Sequence, residues 1–332
     1  MTEQLKLKLN DSKATRWGAL VIVAFTMMAA YYVNDVVAPL KTMLETDLAW
    51  SSTDFGFFTG GYSFLNVFFL MLIWGGLILD RFGIRFTGKL ATILMVGGTA
   101  LEYYAMTGLA GADATLFGIN EIFGYKTGVF VAFAGYSIFG VGAEVAGITV
   151  SKIIAKWFKG KELATAMGVQ VALARIGSQA GYAVAIPLAR AFGISTPVLL
   201  GLVLLLGGMI AFFIFAVMDK KLDKQMEAAA IAAGTEDEEE KFSFKDVKNI
   251  LVNPGFWLIA LLCVLFYSCV FPFQKFASEL MIIKYGINEN VAGTFAGLPA
   301  LGALILTPVF GGFIDKRGKS ASIMLLLSLI HI

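Results

Sequence analysis

From Trp17 onward the sequence returns repeatedly to uncharged apolar runs of about twenty residues, the length that crosses bilayer hydrocarbon. In hydrocarbon each backbone amide must find its partner inside the segment, so runs of this kind fold as helices. Composition agrees: 58% of the 332 residues are hydrophobic and 15% charged, against about a quarter charged in soluble domains. Reading the runs between polar breaks predicts spans near 17–39, 55–79, 88–107, 128–152, 163–189, 195–218, 254–274 and 291–314, with a ninth starting near 320. The expected fold is an all-α, multi-pass membrane protein whose first partner is the lipid bilayer.

Several function classes drop out early. A net charge of +2, with no basic block interleaved with aromatics, gives nucleic acid nothing to bind. Cys263 and Cys269 fall in one apolar segment at a spacing that fits neither a zinc site nor a disulfide framework. The single histidine, His331, is the penultimate residue, so neither a metal nor any other cofactor is expected. No G-x-x-x-x-G-K-[ST], H-E-x-x-H or G-x-S-x-G occurs, and "GVGAEV" follows no strand and lacks a third glycine. An enzyme is not expected. Residues 1–16 are polar and carry no signal-peptide pattern.

Lysine and arginine orient the chain, because cytoplasmic loops hold the excess. With the N-terminus inside, inside segments carry 20 of them and outside segments only Lys41, Lys126, Arg190, Lys275 and Lys284. The last of the 26, Arg175, lies within a span. The N-terminus is therefore expected in the cytoplasm, with residues 1–16 as a cytoplasmic tail. Residues 219–249 form a charged cytoplasmic linker with the acidic run "TEDEEEKF", followed by a capping-box pattern at Ser243 and Asp246.

The loops after the second and eighth spans share the pattern G-x-x-x-D-[RK]-x-G. Gly76, Asp80, Arg81 and Gly83 in the first, with Arg85 just beyond, match Gly311, Asp315, Lys316 and Gly318 in the second at a constant offset of 235 residues. This register marks an internal repeat, the construction plan of many transporters. On these two loops, and on "KWFKGKELATAMG" at 156–168, the sequence resembles the major facilitator superfamily. The resemblance implies twelve helices in two bundles: a complete six-helix bundle at 17–218, then 250–332 as helices 7, 8 and the start of 9. It also implies that the repeated loops gate the cytoplasmic side, with Asp315 approaching the turn at Gly160–Leu163. Two symmetric latches argue against a channel.

Glu144 lies 16 residues before Gly160, and Arg175 lies 15 after it. At ~1.5 Å per residue both sit about 23 Å from that turn, near the middle of a membrane about 40–45 Å thick. Charges at that depth are costly unless they meet each other or a wet cavity. Polar residues continue on neighbouring faces: Gln179 and Tyr182 beside Arg175, Tyr31 with Asp35, Tyr62 with Asn66, and Tyr267 with Gln274 and Lys275. Glu144 suits an ammonium and Arg175 a carboxylate held in a bidentate fork, so the pair describes a zwitterion site. Mutual pairing of the two is expected in the empty protein. Glu102, on the third span, is read as a packing or outer-interface residue.

A glutamate on helix 4 and an arginine on helix 5 also resemble the lysosomal dipeptide transporter-like branch of the superfamily. The expected activity is secondary active or facilitative transport of small polar solutes by alternating access, short peptides or amino acids foremost, with protons as candidate coupling ion. An organic-anion carrier using Arg175, or a non-transporting protein with Glu144–Arg175 as a structural ion pair, are the alternatives. The expected location is the bacterial inner membrane.

Overall fold

The computed structural model describes residues 8–111, 114–233, 249 and 251–317. Among them, eight long helices carry the fold: α1 (Lys13–Val36), α2 (Ser52–Phe68), α3 (Met71–Thr107), α4 (Thr127–Trp157), α5 (Leu163–Phe192), α6 (Thr196–Ala233), α7 (Pro254–Tyr285) and α8 (Glu289–Arg317). Their limits follow ordinary capping chemistry. Ser51 and Asp54 close a capping box on α2, and the Asn253 side chain caps α7 just ahead of Pro254. Gly286, at φ 64°, ends α7 in the left-handed conformation that glycine adopts without strain. Between α3 and α4, β1 (Glu121–Ile122) and β2 (Tyr125–Lys126) form a minimal antiparallel hairpin.

α3 is two helical arms joined at Gly83, whose φ 74° and ψ 172° lie in a region essentially reserved for glycine. The chain reverses there. Gly75 and Asp80 of the first arm lie beside Val145 and Lys152, so this arm runs parallel to α4. In the second arm Gly98 meets Gly135 and Phe139, and Ala105 meets Gly128, so it runs antiparallel. The loop expected at 81–89 is thus a single-residue turn. The expected second span is α2 plus the first arm of α3, broken where Leu70 adopts φ 51°.

α1, α5 and α6 pack on one another, α4 packs between α2 and the second arm of α3, and α6 closes against α3. By length and apolarity, five segments can cross a membrane: Lys13–Asp47, α4, the α6 segment Thr196–Ala229, α7 and the α8 segment Glu289–Leu306. The bent α2–α3 pair makes a sixth. α5, expected as a span, is long enough but fails on polarity, because Gln170, Arg175, Gln179 and Arg190 interrupt it.

α6 also departs from expectation. It continues as helix to Ala233, through residues expected to be linker. "DKKLDKQMEAAA" is rich in good helix formers, and Asp219 anchors the extension. Its carboxylate is fully buried and accepts bonds from Lys156 Nζ at 2.8 Å and Trp157 Nε1 at 3.0 Å. The acidic run and the Ser243–Asp246 capping pattern lie outside the described residues.

Candidate functional site

α4 and α5 bring Glu144 and Arg175 to the same stretch of α1: Gly147 lies against Met27, and Gly177 against Met28. Both charged side chains are partly buried. They do not pair with each other. Tyr62 donates its hydroxyl to Glu144 Oε1 at 2.8 Å, and the Arg175 guanidinium lies over the Tyr31 ring, 5.7 Å from its centroid. The Tyr31 hydroxyl stands within the electrostatic field of Arg175, Glu144, Asp35 and Tyr267. Tyrosines therefore occupy the role expected of a mutual ion pair. Tyr62, read from sequence only as part of a polar stripe, is the nearest partner of Glu144. Its own helix presents Asn66 one turn on, where Nδ2 donates to the Tyr62 carbonyl at 3.0 Å and Oδ1 stays buried and unpartnered.

The other expected site residues form a second layer, displaced toward the end of α1 that carries Val36. Lys275 of α7 reaches the Asn34 carbonyl at 2.6 Å, the Tyr136 hydroxyl at 3.1 Å and Asp35 at 3.9 Å. Asp35 also accepts from Asn34 Nδ2 at 2.8 Å. Tyr182 donates to the Gln274 carbonyl at 3.1 Å. Gln179 presses on α8, where a Cβ added at Gly297 would lie 2.4 Å from its Oε1. Tyr267 is half exposed and stacks on Phe271 at 5.0 Å. The structure thus joins Tyr31, Tyr62, Glu144 and Arg175 in one group, and assigns Asp35, Gln179, Tyr182, Gln274 and Lys275 to a seam between α1–α5 and α7–α8.

Further along, the seam is held by charge. Lys41, nearly fully buried, pairs with Glu45 at 2.7 Å and with Glu279 of α7 at 2.5 Å, and Arg190 of α5 pairs with Glu289 of α8. Lys41, Glu279 and Glu289 were not read from sequence as functional, yet a signal existed. Three of the five cations on the side poor in lysine and arginine, Lys41, Arg190 and Lys275, are the ones that cross this seam.

The repeated motif lies at the opposite face, with the N-terminus. Asp80 pairs with Lys152 at 2.9 Å, Arg85 with Asp223 at 3.1 Å, and Arg81 lies over the Phe82 ring. Gly76 has open space around it; the close helix approach is at Gly75, where an added Cβ would lie 2.6 Å from Val145 Cγ2. Gly311 lies on α8; the side chains of Asp315 and Lys316, and Gly318, lie outside the described residues, and so does the expected Asp315 contact. At Gly160–Leu163 the Glu162 carboxylate is held by Arg16 at 2.7 Å. That bond, with the adjoining backbone, keeps the Glu162 carboxyl below the usual carboxylate range.

Comparison with known proteins gives a consistent picture. The family model for the Major Facilitator Superfamily matches residues 17–332. The human lysosomal dipeptide transporter MFSD1 is 27% identical over 321 residues, covering 92% of this chain and 63% of that one. The orangutan (Pongo abelii) protein of the same name is 27% identical over 315 residues, covering 91% and 61%. The chain spans less than two thirds of the length of these relatives. Their names point to the lysosome, so they give no support to the bacterial inner membrane expected from sequence. Among solved structures, the xylose transporter XylE from E. coli, in a partially occluded inward-open conformation, superposes with a TM-score of 0.60 at 15% identity, covering 92% of this chain and 74% of that one. A D-xylose–proton symporter gives 0.57 at 16%, covering 90% and 69%. Both likenesses show the fold.

Proposed function

The chain belongs to the major facilitator superfamily, and from that premise we propose that it is the larger part of an alternating-access transporter for small zwitterions, short peptides foremost. One observation carries the reading: Glu144 and Arg175 face the same turns of α1, each held by a tyrosine and neither neutralised by the other. A substrate ammonium can join Tyr62 on Glu144, and a substrate carboxylate can take the fork of Arg175 above Tyr31. Binding then adds partners to charges already solvated by protein dipoles, with no need to break a buried ion pair. The names of the MFSD1 relatives favour dipeptides among zwitterions.

In this reading residues 17–218 act as one bundle and residues from 250 begin the second, so the seam is where the halves rock. The face rich in lysine and arginine is cytoplasmic, and the far seam, latched by Lys41 and Arg190, is the closed gate. The repeated motif serves the opposite gate.

Uptake of labelled dipeptides into proteoliposomes, with the protein carried on through its remaining helices, tests the assignment. Arg175→Lys keeps the charge and removes the fork, so uptake should fall at least tenfold while folding is retained. Glu144→Gln should abolish discrimination in favour of a free amino terminus. Undiminished dipeptide uptake by Arg175→Lys overturns the carboxylate clamp. Loss confined to Arg175 variants, with Glu144→Gln silent, identifies an organic-anion carrier.

A further inference from the structure

Glu102 is the most anomalous ionisable group in the described residues. It sits on the second arm of α3, 0% exposed, and neither carboxylate oxygen has a hydrogen-bond partner. Helix packing accounts for the enclosure. Where Gly98 and Gly135 face each other, a Cβ added at Gly135 would lie 2.9 Å from the Glu102 amide, leaving no room for water between α3 and α4. An unpaired carboxylate cannot stay charged in such a place, since its desolvation far exceeds any gain from distant charges.

The groups that face it are few. On α4, Tyr136 follows the Gly135 that packs on the Glu102 amide, and Lys275 of α7 bonds to that tyrosine. Tyr136 donates to the Asn34 carbonyl at 2.8 Å, Lys275 donates to Tyr136 and to Asn34, and Asp35 of α1 stands behind them. We take Tyr136 and Lys275 as the lid over Glu102; in the function proposed above, Lys275 belongs to the half that leaves when the seam opens.

We propose that Glu102 is a proton-binding site governed by the far seam: it is a neutral carboxylic acid while Lys275 rests on Tyr136 and Asn34, and it exchanges its proton when that lid lifts. The step is simple. With α7 displaced, water enters beside Tyr136, the O–H bond of Glu102 breaks, the proton passes to that water, and the electron pair stays on the carboxylate. A proton held more firmly in the closed state favours closure, so rising pH favours opening. The latch carboxylate Glu45 acts in the opposite sense: its bond to Lys41 holds its carboxyl below the usual carboxylate range, and acid weakens that pair. The two effects differ in sign.

The test uses the full chain in lipid nanodiscs, with Cys263 and Cys269 replaced by serine and Ser278→Cys, buried in the seam, as reporter for a membrane-impermeant maleimide. Glu102→Gln mimics the protonated acid. The ratio of parent to Glu102→Gln labelling cancels the thiol's own pH dependence. It should rise by up to about tenfold per pH unit above the hydrated carboxylate value of about 4.3. In infrared difference spectra near neutral pH, the parent should show a protonated-carboxyl carbonyl band that Glu102→Gln removes and Glu144→Gln leaves. A flat labelling ratio, or a band indifferent to Glu102→Gln, overturns the proposal. Failure of Glu102→Gln to fold also overturns it, since a neutral isostere should fit the site as well as the acid.

Discussion

The two faces of the molecule are held together differently. At the far face the strong pairs are bridges between separate helix groups: Lys41 to Glu279, Arg190 to Glu289, Lys275 to Asn34 and Asp35. At the N-terminal face the described pairs, Asp80–Lys152, Arg85–Asp223, Lys156–Asp219 and Arg16–Glu162, all join parts of the first 233 residues. Packing along α7 follows the same gradient. Ala277 and Ser278 are buried near the far face, whereas Trp257, Leu258 and Ile259 toward the other end of the helix are exposed. Among the described residues, charge at the far face joins the two helix groups, whereas charge at the N-terminal face stays within the first of them.

The comparison is broken most directly at its two most buried charges. Lys41→Met leaves Glu45 and Glu279 without their cation and should cost about 3 kcal/mol, the low end for a split buried pair because both carboxylates keep some water. That loss should release α7 and α8, read as a fall in disulfide yield between cysteines at 190 and 289, with the melting of α1–α6 unchanged. Asp219→Ala should cost a similar ~3 kcal/mol and do the reverse, lowering thermal stability with the cross-link intact. If the two variants gave the same pattern, the faces would not be distinct. A smaller effect is expected from Gly83→Ala, about 1–3 kcal/mol of backbone strain in a glycine-only conformation. No neighbour stands within 4 Å of the new methyl, so Gly83→Ser should cost the same by chemical denaturation.

The smallest effect concerns the tail. Asp11, bonded to Lys161, and Glu162, bonded to Arg16, both titrate below their ordinary values. A depressed carboxyl contributes stability above its unfolded value and loses it as pH falls through the folded one. The clamp on residues 9–13 should hold at neutral pH and loosen only in acid below about pH 4, seen as faster proteolysis there with the seam cross-link unaffected.

Much of this was legible in the sequence because it depends on local pattern. Apolar runs set the helices, and a glycine in the repeated motif foretold the reversal at Gly83. Depth counting from Gly160 brought Glu144 and Arg175 to one level of α1. What escaped needed the third dimension. Nothing along the chain says that Tyr62 will outcompete Arg175 for Glu144, since that depends on the relative rotation of α2 and α4. Glu102 was read as a packing residue, yet its enclosure arises from glycines on two helices 37 residues apart. The extension of α6 was hidden because its charges look like a solvated linker until Lys156 and Trp157 are seen beneath Asp219.

The break at Phe69–Leu70 bears on how force would travel between the faces. A continuous rod tilted at one end swings the other end the opposite way, so events at the far face would be felt directly at the motif. Here the rod is jointed. Ser52, bonded to Lys41, and Phe55, edge-on to Phe276, tie the segment before the break to the seam. Gly75 and Asp80 tie the segment after it to α4. The first segment is also held on α4, at Gly61 and Gly140, so the α2–α3 junction is an elbow that lets one span grip α4 on both sides of the break while its outer end reaches the seam.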